Sequence, residues 1–138
     1  MAITFENVIY DRVIDSLHLI IANEFNIPIY FDEHKGNQSF LISLTEDQLD
    51  ESLLSGQTRN HTVTISYQLQ SNGSYTKNST KQVSSIMERL KRLLYNNRNT
   101  TDKFFNGQVD TIEYNRDDDN ESLLNGILSF SCMTMEIL

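Results

Sequence analysis

The chain has 138 residues, no Trp, one Pro, five Gly and a hydrophobic share of 38%, which fits one domain with a modest core and excludes a collagen-like or Pro-rich linker protein. A formal net charge of −8 and a pI near 4.7 argue against tight general nucleic-acid binding, because an acidic surface repels phosphate backbones. Cys132 is the only cysteine, so neither an intramolecular disulfide nor a cysteine-based metal site can form within one chain.

The opening MAITFENVIYDRVIDS carries early acids and no basic n-region, so it does not read as a signal peptide. The longest apolar run of the chain, LHLIIA, falls well short of a membrane span. Together these features predict a soluble protein made in a reducing cytoplasm. Asn-x-Ser/Thr triplets at Asn37, Asn60, Asn72, Asn78, Asn99 and Asn120 then follow from a composition rich in Asn, Ser and Thr rather than from glycosylation.

Thr4 to Asn23 is predicted to be helical. Phe5, Ile9, Val13, Leu17, Ile20 and Ile21 recur at spacings of three and four, Thr4 can cap the first turn, and Asn26 and Pro28 end the helix. Ile27–Glu33 reads as a short strand, 34–38 (HKGNQ) as a hairpin loop, and Ser39–Thr45 as a second strand. Glu46–Asn60 is polar and acidic, interrupted by Leu49, Leu53 and Leu54. These leucines mark either a short helical turn or an extended arm whose apolar residues need a partner. His61–Gln70 is the clearest strand: Val63, Ile65, Tyr67 and Leu69 face one way, Thr62, Thr64, Ser66 and Gln68 the other. Residues 71–74 (SNGS) suit a turn.

Ser79–Asn97 is the second predicted helix, with Val83, Ile86, Met87, Leu90, Leu93 and Leu94 as its stripe. Ser79 and Gln82 fit a capping box, and Arg89, Lys91, Arg92 and Arg98 read as partners of the helix's negative C-terminal end. After a polar loop at 96–102, strands are expected near Val109–Tyr114 and over Gly126–Leu138, joined by an acidic connection at 115–120. The order α-β-β-β-α-β-β lacks regular alternation of strand and helix. It predicts one α+β domain over 1–138, with two helices packed on a mainly antiparallel sheet.

No catalytic constellation emerges. His18, His34 and His61 lie on three different elements without zinc-site spacing. There is no G-x-S-x-G elbow and no Gly-rich phosphate loop, and Cys132 lies inside a strand. Asp117, Asp118, Asp119, Asn120 and Glu121 invite a calcium reading. An EF-hand loop needs Gly at its sixth position and Glu at its twelfth, where counting from Asp117 gives Ser122 and Leu128. Counting from Glu46 gives Glu51 and Gln57. No metal or cofactor is expected, and a carboxylate hydrolase using Asp117, Asp119 or Glu121 with a divalent ion ranks below an assembly or binding role.

One local feature occurs twice: ESLLSG at 51–56 and ESLLNG at 121–126, each after an acidic run. Both read as acid-led returns of a hairpin, with two leucines that dock and a Gly that turns the chain. Leu49, Leu53, Leu54 and Arg59 in the first region, and Asp117, Asp119, Glu121, Leu123 and Leu124 in the second, are the candidate interface residues.

The helix TFENVIYDRVIDSLHLIIANE, the strands SFLISL and TRNHTVTISYQLQ joined by a long polar hairpin, and the helix VSSIMERLKRLLYNN before VDTIEY and GILSFSCMTMEI resemble the tail terminator (tail completion) proteins of long-tailed bacteriophages. Neck proteins that join head to tail share related folds. The resemblance spans nearly the whole chain and implies the same α-β-β-β-α-β-β order. It also implies a non-enzymatic virion protein of the tail–neck region that forms a six-fold ring with itself. The ring would cap the tail-tube protein, stop its polymerisation, meet a neck or head-completion protein, and let DNA through its lumen without specific binding or membrane contact. The alternative from the residues themselves is a monomeric adaptor or assembly chaperone that binds one partner through the Glu46–Asn60 arm, with Leu49, Leu53 and Leu54 as its contact patch.

Overall fold

Strand alternation over His61–Gln70 is the strongest local signal in the chain, and that segment lies in the middle strand of the sheet. The computed structural model describes residues 2–70, 77–116 and 123–137. Its sheet has five strands in the order β1-β2-β3-β5-β4: β1 (Ile29–Tyr30), β2 (Gln38–Leu53), β3 (Gly56–Gln70), β4 (Phe105–Arg116) and β5 (Leu123–Ile137). β2, β3, β5 and β4 are antiparallel neighbours, whereas β1 pairs in parallel with β2 at Ile29↔Phe40 and Tyr30↔Leu41. The fold is therefore α+β with a mixed sheet. Residues 71–74 lie outside the described residues, as do Asp117, Asp119 and Glu121.

One face of the sheet carries Phe40, Ile42, Val63, Ile65, Tyr67, Leu128 and Phe130, all buried. Two helices cover it. The first opens with a π-helical segment, Ile9–Ile14, and continues as α1 (Asp15–Glu24); the second, α2, is Lys77–Asn96. Val13 and Ile14 are adjacent yet both buried. The Asp15 amide donates to the Tyr10 carbonyl, and this wider turn aims both side chains inward. Leu17 and Ile21 continue that stripe, and Val83, Met87, Leu90 and Leu94 form the one on α2.

Several expectations need correction. Helix begins at Val8, not at Thr4, and Phe5 is 82% exposed, outside the buried stripe. Arg12 instead ties this opening segment down, gripping Glu6 through two nitrogens at 2.9 Å and donating to the Met135 carbonyl at 2.7 Å. The short strand is two residues long, and its pairing is parallel, so 34–38 is not a hairpin loop. His34 from this segment bridges the Ser39 and Ser66 hydroxyls at 2.7 and 2.8 Å. Ser79 lies inside α2 rather than before it, and Gln82 donates to the Tyr67 hydroxyl at 3.4 Å.

Arg89 is a dipole partner of α1, not of its own helix. It donates to the Glu24 carboxylate and carbonyl at 2.9 and 2.8 Å and lies 4.5 Å from the centre of the Phe25 ring.

The twin motifs also part company. In the first copy Leu53 ends β2, Leu54 and Ser55 form the turn and Gly56 starts β3. In the second, Leu123 to Gly126 are already inside β5, and Gly126 is not a turn residue. It lies opposite Tyr67, where the Met87 side chain fills the space a Cβ would take.

Candidate assembly surfaces

The Glu46–Asn60 region is neither a helical turn nor a loop. Its acid-rich half continues β2, so β2 and β3 form one long hairpin whose far end extends beyond the buried core: Glu46 to Ser55 are all exposed. Acidic residues are poor strand formers, so pairing rather than propensity holds them extended. β3 stays paired to β5 as far as Gly56↔Ile137, which gives the hairpin a third strand as backing. At the tip, a Cβ on Gly56 would collide with the Glu136 carbonyl, so the close approach of β5 depends on that glycine.

Two bulges, between Leu44 and Glu46 and between Leu49 and Glu51, shift the alternation of β2. The first places Asp47 opposite His61. Asp47 accepts from Arg59 Nε at 2.6 Å, and Thr58 donates to Asp50 at 3.0 Å. Arg59 also donates to Gln57 Oε1 at 3.2 Å.

His61 is fully buried and shares a 2.8 Å hydrogen bond with Thr134 Oγ1; its Nδ1 lies 3.7 Å from Asp47. Burial pushes the imidazole below its ordinary pKa, while the Asp47 charge pulls the other way.

Leu49 and Leu53 are exposed, and Leu54 at the tip has no cover at all. Arg59 is half-buried, and so is Leu123. Leu124 is 4% exposed and belongs to the core. Thus the structure brings Leu49, Leu53, Leu54 and Arg59 together on one hairpin, while Leu123 and Leu124 lie at the start of β5.

Among the described residues, β2 has no strand partner on its outer side past Leu41, and β4, the opposite edge of the sheet, has none on its outer side. The Asn106 and Gly107 amides at the start of β4 donate to Asn99 Oδ1 and the Arg98 carbonyl at 2.9 and 2.8 Å; past them, as along β2 past Leu41, the edge lacks a strand partner among the described residues.

A groove that sequence reasoning missed lies beside β4. Lys91 and Tyr95, one turn apart near the end of α2, and Arg98, two residues past it, face Asn106, Gln108 and Val109 across a cavity of about 460 Å³. The i, i+4 spacing of Lys91 and Tyr95 is the part of it that the sequence could have signalled. The Arg98 guanidinium lies 4.7 Å from the centre of the Tyr95 ring, and Lys91 pairs with Glu88 at 2.8 Å.

The Cys132 thiol is buried and pushed up to about 12, which leaves no thiolate to react. Among the described residues no group of three His, Cys, Asp or Glu side chains could hold a metal ion. None of the described helices is long and apolar enough to cross a membrane.

The model of the phage tail terminator protein family matches residues 8–134, and the chain belongs to that family. No curated protein matches the chain. The family is a class of structural phage tail proteins, not an enzyme class, so the chain is a structural component of the virion.

Proposed function

We propose that the protein forms a ring, six-fold by resemblance to its family, that caps the last layer of tail-tube subunits, stops their polymerisation and presents a surface to the neck. The observation that carries this reading is the pair of edges without a strand partner among the described residues, β2 past Leu41 and β4 past Gly107, on a chain of the tail terminator family. A ring needs heterologous contacts, in which one surface of a subunit meets a different surface of the next, and two unlike free edges on one sheet supply such surfaces. DNA passes through the lumen. A net charge of −8 suits that task, because a basic lumen would hold passing DNA and slow it.

Native mass spectrometry of the purified chain, paired with electron microscopy of tail tubes grown with and without it, tests the proposal. A closed oligomer and tubes of fixed length are expected. A chain that stays monomeric at high concentration and leaves tube growth unchanged overturns it.

A further inference from the structure

Leu54 stands fully exposed at the end of a hairpin that a third strand stiffens, with Leu53 beside it and Asp50 and Glu51 just behind. Glu46, Asp47, Asp50 and Glu51 put four acids into six residues of β2. The groove between α2 and β4 has the complementary character. Tyr95 and Val109 give it an apolar lining, and Lys91 and Arg98 give it a cationic rim, on a chain whose net charge is −8. Among the described residues, both rim cations make exposed contacts, Lys91 with Glu88 three residues earlier and Arg98 with the Tyr95 ring. Such contacts exchange for new partners at little cost.

From these features we infer that the hairpin tip of one copy seats in the α2–β4 groove of the next, with Leu54 against Tyr95 and Val109 and with Asp50 and Glu51 against Lys91 and Arg98. The inference rests on the ring reading above and names the contact that would build the ring. Three observations favour a second copy of this chain as the occupant. Knob and groove match in polarity, apolar centre to apolar lining and acids to bases. They lie at opposite sides of the strand order, the tip on β2 and β3 and the groove along β4, so the contact repeats head to tail. Each copy carries one of each, so no copy inside a closed ring has a surplus tip or groove. The backing by β5 up to Ile137 fixes the tip before contact, which lowers the entropy lost on docking.

The test uses the full chain in three forms: wild type, Leu54→Asp, and Lys91→Glu with Arg98→Glu. All three positions are exposed, and circular dichroism checks that each form folds. Sedimentation velocity across a concentration series should show wild-type rings. Each variant should need at least ten-fold more protein to assemble. An equimolar mixture of the two variants should stop at 1:1 dimers, because only one intact tip and one intact groove meet. Adding Asp50→Lys and Glu51→Lys to the groove variant should restore rings.

Variants that assemble like wild type overturn this contact and leave the ring reading standing. So does a mixture that forms no dimer together with a charge swap that restores nothing. A wild-type chain that is monomeric throughout overturns the contact and, if it also fails to cap tubes, the ring reading as well.

Discussion

His61 sits where the covered sheet gives way to the overhanging hairpin, and its surroundings set how the fold answers to pH. It is buried against Thr134, with Asp47, Arg59, Glu136 and Arg12 as the charges around it. Because burial favours the neutral ring, the unfolded chain binds the proton more readily than the folded one. The stabilisation is therefore complete above the unfolded histidine value, about 6.5, and is lost as pH falls from there towards the depressed folded value. His34, half-buried between Ser39 and Ser66, is lowered by burial as well and adds to the same slope. Urea melts at pH 7.5 and pH 5.5 should show lower stability at the acid end, and His61→Gln should reduce that difference without abolishing it. Thr134→Val, which leaves a buried imidazole nitrogen without its partner, should cost about 1–3 kcal/mol at pH 7.5. None of this was legible in the sequence, where His61 only opens a strand. What buries it is a register opposite Cys132 and a bulge in β2, and both are settled by pairing across the sheet rather than by local residue choice.

At the scale of elements, legibility followed periodicity. β3 and α2 were readable because Val63, Ile65, Tyr67 and Leu69 alternate, and Val83, Met87, Leu90 and Leu94 recur at helical spacing. The two signals match the two surfaces that meet in the core. The far half of β2 was not readable: Glu46, Asp47, Asp50 and Glu51 suppress strand propensity, and two bulges break the alternation there. Phe5 extends the apolar stripe in sequence yet stays exposed in the fold, which is why periodicity places the helix start too early. Near-identical ESLL motifs met different fates because what each strand is paired to, rather than the six residues, decides whether their leucines are covered. The groove is not legible in sequence because Lys91 and Tyr95 come from α2, Arg98 from the segment after it and Val109 from β4. Docking of α1 to α2 also depends on one residue whose role the sequence hid. Arg89→Ala removes an ion pair, a carbonyl bond and a ring contact at once, and should lower stability by about 1–2 kcal/mol in thermal or denaturant melts. Arg89→Lys should recover less than half of that, since an ammonium cannot fork between the Glu24 carboxylate and carbonyl.

For the whole molecule, the sign and placement of charge govern assembly. A tip-to-groove contact between acids and exposed bases weakens as salt screens it over about 10 Å at 0.1 M and about 3 Å at 1 M. Raising NaCl from 0.1 to 1 M should therefore move ring assembly to several-fold higher protein concentration, as read by light scattering. An assembly driven only by Leu54 would hold steady or tighten instead. The acidic edge of β2 has one more consequence. Two hairpins laid edge to edge would set one run of acids against another along a shared ladder, and like charges directly opposed are destabilising. Symmetric pairing, a dead end that would consume subunits in twos, is thereby disfavoured. Growth is left with a direction, each arrival adding to the one end that accepts it, so a partly built collar differs at its two ends until the last subunit closes it.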